Sequence, residues 1–322
     1  MAAGTKSNFV IYEAEFFAGA YETIEQNVQV FNEASRNAIR LVPAIHRGDF
    51  LKESFFQNVS GGLINRRDTT SVAAATSSPL GMDDATSPKL ARRIGPVEDT
   101  IDAFKKINED PSLMSFVLGQ QVGPEMFKDH LNAGVLACDA ALNGVAALEY
   151  DASGSDPTAI LLLRALAKMG DAANRVVAWV MHSSVYFKLM ESYINDKVTN
   201  VADVVVYGGT PPSLGRPVIV TDSSALVLSG TTNYYVTLGL VAGGIEVDES
   251  ESRTLETETV LGKDNITVRL QGEYSITTKV KGFDYTGAAN PNDATIGSSA
   301  NWTRVASDVK SCAGVRLVTN GS

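Results

Sequence analysis

The chain has 322 residues, 44% of them hydrophobic and 20% charged, which is enough apolar content for a sizeable core and too much for a disordered protein. Its formal net charge of -10 argues against a protein that holds nucleic acid by neutralising phosphates. Cys138 and Cys312 lie far apart without C-x-x-C spacing, so neither a disulfide framework nor a zinc site is expected.

Near the N-terminus, Glu13 and Glu15 interrupt the apolar stretch that a signal peptide would need, so export is not expected. The N-x-S/T triplets at Asn58, Asn265 and Asn301 then read as chance matches. After a short opening strand, Ile24, Val28, Phe31, Ala38 and Leu41 fall on one stripe of an amphipathic helix over residues 21 to 42, which Pro43 ends.

Residues 45 to 106 change character. Gly61-Gly62, Ser77-Ser78-Pro79 and Ser87-Pro88 punctuate a stretch too long for an ordinary connection. Phe50, Phe55, Phe56 and Val59 precede its tip, and Leu90, Ile94 and Val97 follow it, so the pattern is a long hairpin with a soft end. Arg47, Lys52, Arg66, Arg67, Lys89, Arg92 and Arg93 face Asp49, Glu53, Asp68, Asp83 and Asp84 along it. An arm of mixed charge with little core of its own needs a partner surface to be ordered; a flexible, solvated loop is the alternative.

Residues 112 to 148 read as helix, interrupted at Gly123-Pro124, with Phe127, Leu131, Val135, Cys138, Leu142 and Val145 at helical spacing and small residues between them. The window from Leu131 to Leu148 is the most membrane-like, but its Ala and Gly content, with Asn132, Asp139 and Asn143, fits a buried helix. A turn-rich boundary follows at Asp151 to Asp156, and Asp156-Pro157 signals a helix whose apolar body is Ile160 to Met169. Arg175 to Met181 suits a buried strand, Ser183 or Ser184 caps a helix running to about Tyr193, and Arg216 to Thr221 forms another strand, giving an α/β region. From Ile245 strands dominate, with Ile266, Val268 and Leu270 alternating in one and Tyr274, Ile276, Thr278 and Val280 in another. The acidic run Glu246, Asp248, Glu249, Glu251, Glu256 and Glu258 is opposed locally by Arg253 only. It reads as a solvated face or a dock for a basic neighbour, and no ligand spacing supports calcium.

The search for chemistry finds little. His46, His130 and His182 show none of the paired spacings of metal enzymes, so no metal site and no cofactor are expected. His182-Ser183 is the one pairing of a base with a nucleophile, but no G-x-S-x-G surrounds it, and Ser183 reads as a helix cap. Gly239 to Gly244 lacks the G-x-G-x-x-G order and reads as a flexible connection, and Asp222 after a strand reads as a turn residue.

Several strings resemble the major capsid proteins of tailed phages, which share the Hong Kong 97-like fold. Gly48-Asp49-Phe50, Phe55-Phe56 and Arg66-Arg67-Asp68 look like the start of that family's extended loop, and Arg92-Arg93-Ile94-Gly95-Pro96 like its return. Val180 to Ser183 and Gly215 to Asp222 look like elements of its axial domain. Near the end, Lys281-Gly282-Phe283-Asp284-Tyr285, then Asn290 to Ala294, then Asn301 to Val305 form the most specific ordered set.

The resemblance implies an α+β Hong Kong 97-like capsid fold: an N-terminal arm and helix over 1–44, an extended β-hairpin loop over 45–106, and a peripheral domain with a long spine helix over 107–155. An α/β axial domain over 156–240 and a β-rich segment over 241–322 that completes both domains would follow. It implies a non-enzymatic subunit of an icosahedral shell built of hexamers and pentamers, located in the virion and assembled in the host bacterial cytoplasm. An acidic wall suits that role, because a container filled with DNA needs strength and not affinity for its contents. The loop would reach a neighbouring subunit, which favours interface over disorder and makes Arg47, Lys52, Arg66, Arg67, Asp68, Arg92 and Arg93 the candidate subunit-interface residues. A separate scaffolding protein, a portal and a decoration protein are the implied partners, with no membrane and no sequence-specific DNA contact. No lysine, asparagine and glutamate arrangement for covalent crosslinking is identified. An encapsulin-like nanocompartment shell and an α/β hydrolase-like enzyme using His182, Ser183 or Asp222 are the alternatives.

Overall fold

The structure, a computed structural model, describes residues 28–57, 64, 66, 67, 69–74, 80–100, 111–201, 204–207, 213–230, 233–262 and 264–320. The expected opening strand and the first part of the expected N-terminal helix lie outside these residues. In chain order the strands are β1 (Ile39–Pro43), β2 (Phe50–Phe56), β3 (Met82–Thr100), β4 (Glu149–Ala152), β5 (Val176–Met181), β6 (Val198–Val201), β7 (Val204–Tyr207) and β8 (Val218–Val220). They continue with β9 (Val227–Leu228), β10 (Tyr234–Val241), β11 (Ile245–Val260), β12 (Thr267–Val280), β13 (Phe283–Tyr285), β14 (Trp302–Arg304) and β15 (Gly314–Asn320). The helices are α1 (Pro111–Asn143), α2 (Ala159–Ala167), α3 (Ser183–Lys197) and α4 (Asp293–Ile296).

Helix is present over 28–34 and stops there, which corrects the expectation of a helix to residue 42. Arg36 and Asn37 take left-handed conformations, φ 54° and 55°, and turn the chain into β1. The Asn32 side chain fixes this reversal by accepting from Leu41 N–H and donating to the Leu41 carbonyl, both at 3.0 Å. Val28 and Phe31 still pack on the core, so the stripe keeps its purpose in its described half.

One sheet has the order β1-β11-β12-β3-β2. β3 changes partner along its length: its first residues pair with β2, from Met82 opposite Phe56 to Pro88 opposite Phe50, and the rest pair with β12, from Lys89 opposite Thr277 to Thr100 opposite Thr267. β11, β12 and β3 all shift register partway, at Glu249 to Thr254, Leu270 to Gly272 and the facing Ile94 to Val97. Bulges bend strands, so the sheet kinks at this level. Thr267 to Val280 form one strand where the alternation reads as two.

The second sheet has the order β4-β15-β10-β5-β8, with β9 also paired to β10. Gly239 lies inside β10, which corrects its reading as part of a flexible connection. A Cβ there would stand 2.7 Å from Cζ3 of the buried Trp179 on β5, so the indole occupies the space a side chain would need. The α2 helix starts at Thr158, whose hydroxyl accepts from Leu161 N–H, and not at Asp156, which instead pairs with Lys188 of α3 at 3.5 Å.

The α1 helix joins the two sheets. It runs unbroken through Pro124, against the expected interruption, and ends at Asn143, short of residue 148. Pro124 is exposed, so the carbonyl that loses its partner can be solvated, and packing elsewhere sustains the helix. Leu131, Val135, Cys138 and Leu142 are buried at the expected spacing, as are Ala133, Ala137, Ala140 and Ala141 between them. Gly134 brings the helix onto β11, where its missing Cβ would stand 2.8 Å from Ile245 Cγ2 and 2.9 Å from Val247 Cγ2. Over residues 133–142, where nearly every side chain is buried, polar groups need to be paired. Asp139 meets Arg316 of β15 at 2.7 Å, and Arg316 reaches Glu149 of β4 at 3.1 Å. Burial raises the pKa of Asp139 above the ordinary carboxylate value, and Arg316 opposes that shift.

Candidate assembly surface

The β2–β3 hairpin stands at one end of the first sheet, and its two faces differ. On one face Phe56 pairs across the strands with Met82, next to Leu80, and these three are 63%, 66% and 60% exposed. Lys52 lies on the same face two pairs further in, opposite Thr86. Large apolar groups left in water at this density mark a surface that is covered by something else.

The base of the hairpin, in contrast, is tied down. Thr86 N–H donates to Asp284 Oδ1 at 2.6 Å and Ala91 N–H to Asn290 Oδ1 at 2.9 Å. Arg92 spans Asp129 of α1 at 3.1 Å and Asp293 of α4 at 2.8 Å, while Tyr274 donates to the same Asp129 at 2.8 Å. Burial works against the charge on Arg92, but the hydrogen bonds and charges of Asp293 and Asp129 outweigh it and raise its pKa. The C-terminal strings noted in the sequence thus strap the return strand onto the helix.

A second anchor centres on Lys279, which contacts Asp248 at 2.8 Å, Glu53 of the hairpin at 3.0 Å and Glu246 at 3.1 Å; Glu246 also holds Arg40 at 3.1 Å. Burial opposes the charge of Lys279, and the three carboxylates overcome it and raise its pKa. Arg40, Glu53, Glu246 and Lys279 line a cleft of about 850 Å³ between the hairpin and the turn at Ala242 and Gly243. The acidic run is therefore divided. Glu246, Asp248, Glu249 and Glu251 are paired with Arg40, Lys279, Arg253 and Lys89, whereas Glu256 and Glu258 are exposed, with Glu258 opposite Arg269 across the β11–β12 pair.

The candidate interface residues divide in the same way. Arg47, Lys52, Arg66, Arg67 and Arg93 are exposed and make no ion pair with a described residue. Arg92 is engaged within the chain, and Asp68 lies outside the described residues. The anchors Asp129, Asp284, Asn290 and Asp293 escape a reading by charge density, because each is a lone polar residue far from the hairpin in sequence.

His182, rather than Ser183, occupies the cap position of α3: its carbonyl accepts from Tyr186 N–H at 3.0 Å and its Nδ1 accepts from Ser184 N–H at 3.2 Å. In the neutral ring that leaves the proton on Nε2, which faces Asp222 Oδ1 at 3.9 Å, so neither nitrogen is free to act as a base on Ser183. No group among the described residues could hold a metal ion, and no described helix is long and apolar enough to cross a membrane.

A family model described as major capsid protein 13-like matches residues 8–316. The chain belongs to this capsid protein family. No curated protein matches it. The capsid of a native GTA particle is similar in fold, with a TM-score of 0.54 at 10% identity over 89% of both chains. The capsid of cyanophage Pam1 gives 0.51 at 10% over 86% of both, and that of Helicobacter pylori bacteriophage KHP30 gives 0.51 at 8% over 89% of both. The fold is the Hong Kong 97-like capsid fold, and this capsid protein is a structural, non-enzymatic subunit of a phage shell.

Proposed function

We propose that this capsid protein builds the icosahedral head that encloses the double-stranded DNA of a tailed phage, with one chain occupying both hexamers and pentamers. The observation that carries the reading is the contrast within the hairpin: a base held by Asp284, Asn290 and the Arg92 ion pairs, and an outer part with exposed Phe56, Leu80 and Met82 and with exposed Arg66 and Arg67 that make no ion pair among the described residues. A rigid base with an uncovered end suits an arm that completes its packing on a neighbour. Contacts between unlike patches close into rings, which is the geometry a capsomer requires.

In this reading residues 45–106 are the extended loop, 107–155 the peripheral domain with α1 as its spine, 156–240 the axial domain, and 241–322 the segment shared between them. Arg47, Lys52, Arg66, Arg67, Asp68, Arg92 and Arg93 are its candidate interface positions, with Arg92 holding the loop's base. A separate scaffolding protein would set the size of the shell, a portal would occupy one vertex, and a decoration protein would bind outside. Assembly takes place in the host cytoplasm.

Electron microscopy of the purified protein, expressed with and without the neighbouring genes, tests the reading: closed particles are the expected result, and small soluble oligomers under both conditions would overturn it. Hydrogen exchange adds a local test, since the arm should gain protection on going from subunit to shell. Reversal of Arg66 and Arg67 to Glu should impair particle formation more than subunit folding.

A further inference from the structure

The end of the second sheet where β5, β8 and β15 begin and β10 finishes gathers cations. Val241 closes β10 opposite Val176, Gly314 opens β15 opposite Leu240, and Val218 of β8 pairs with Trp179, so these four strand ends lie side by side. Arg175 immediately precedes β5 and donates to the Lys310 carbonyl at 2.9 Å. Arg216, just before β8, donates to the carbonyls of Val176 at 2.7 Å and Ala173 at 3.2 Å. Lys281 donates to the Ala242 carbonyl at 3.2 Å, and Gly243 N–H donates to the Asn37 carbonyl at 2.7 Å, which brings Arg36 to the same place.

The side-chain hydrogen bonds of Arg175, Arg216 and Lys281 all end on neutral carbonyls, and none of these four cations forms an ion pair with a described residue. Lys310 at the same end is by contrast neutralised by Asp171 at 2.5 Å, with Asp308 also beside it. The four remaining charges repel one another. Burial and then the charge of Arg36 lower the pKa of Arg216, burial and then the charge of Arg175 lower that of Lys281, and no carboxylate of a described residue opposes either shift. In a chain of net charge -10, cations held together without a counter-charge mark a place where an anion belongs.

The shape of the cluster selects the anion. Neighbouring strands lie about 4.8 Å apart, so the cations at the ends of β10, β5 and β8 form a row and do not converge on one point. A single oxyanion would touch only part of such a row, whereas duplex DNA carries a negative charge about every 1.7 Å along its axis and can meet all of it. Three of the four cations are arginines, whose planar forks match phosphate oxygens.

We infer that this end of the second sheet faces the packaged genome and that Arg36, Arg175, Arg216 and Lys281 contact DNA phosphates without reading sequence. The inference rests on the shell-subunit reading and adds to it which surface of the wall is the inner one. Four contacts per chain on an otherwise acidic wall are weak, so they steady the DNA nearest the shell without opposing its release.

Acetylation of lysines in DNA-filled and empty particles, read by mass spectrometry, tests this: Lys281 should be modified several-fold more slowly when the particle is full. Equal reactivity in both overturns the inference and leaves the row to an acidic protein partner. Binding of a fluorescent DNA duplex to the unassembled protein gives a second measurement. Arg36→Gln with Lys281→Gln should reduce the slope of log affinity against log salt by about 2, alike for any sequence, with the melting temperature unchanged because both side chains are exposed. A slope equal to the wild type overturns the inference, as does displacement of the duplex by inorganic phosphate at constant ionic strength, which would assign the row to single oxyanions. Absence of wild-type particles overturns the shell reading on which the inference rests, and is separable from these results because duplex binding is measured without assembly.

Discussion

Thr86 and Asp284 stand 198 residues apart in the chain and are joined by a 2.6 Å hydrogen bond from the backbone N–H of the arm's return strand to a carboxylate oxygen beside β14. With Asn290 and Asp293 it turns a two-stranded ribbon, which would be marginal alone, into a strand with a fixed origin.

Asp284→Ala should loosen that origin. It leaves a half-buried N–H without its acceptor, at a cost of about 1–3 kcal/mol. Hydrogen exchange should speed up at Thr86 and its strand neighbours, with Asp284→Asn intermediate because it keeps an acceptor oxygen. Wild-type exchange at Thr86 in the alanine variant would mean that the strand is held by β2 pairing alone.

Gly239 and Trp179 give a packing prediction. A methyl at residue 239 would stand 2.7 Å from Trp179 Cζ3 and 2.9 Å from Val315 Cγ2, both in the core of the second sheet. Gly239→Ala should therefore destabilise by about 1–3 kcal/mol through overpacking. Combining it with Trp179→Leu should recover part of the loss in a denaturant titration, since the smaller side chain vacates the space.

The buried pair of Asp139 and Arg316 makes a third test. Arg316→Met leaves the buried Asp139 charge uncompensated and should cost about 3–5 kcal/mol, whereas Asp139→Leu with Arg316→Met should cost less than Arg316→Met alone. A double-mutant cycle measures this coupling directly. Additive losses would show that each residue acts through packing and not through the pair.

What the sequence discloses follows the range of the interactions involved. The body of α1 is legible because Leu131, Val135, Cys138 and Leu142 express a local period, and so is the alternation of Tyr274, Ile276 and Val280. The stop at residue 34 is not, because the left-handed Arg36 and Asn37 depend on Asn32 reaching across to Leu41. Along the sequence the acidic run faces Arg253 alone, because Arg40, Lys89 and Lys279 approach it from other strands. The hairpin's flanks are visible as two apolar runs around a soft tip. Its anchors are single polar residues with no periodicity, and only the ordered strings that contain them hint at their importance.

His130 supplies the pH prediction. Its ring lies on α1, stacked 5.8 Å from that of Tyr274, and it is buried. Burial is the strongest influence and holds its pKa below the ordinary 6.5, against the hydrogen bond that Nδ1–H donates to the Met126 carbonyl and the charges of Glu249 and Asp129; Arg253 adds to the lowering. In the unfolded chain the same imidazole titrates near its ordinary value, so between the two values the unfolded state binds more protons. The contribution of His130 to stability is thus fully present above the unfolded value and is lost as the pH falls through the folded one. Melting temperature should decline on acidification below about pH 6.5, before the carboxylates titrate. His130→Gln, which keeps a hydrogen-bonding side chain without the titration, should flatten that part of the curve. A variant whose melting temperature tracks the wild type throughout this interval would assign the acid sensitivity to other groups.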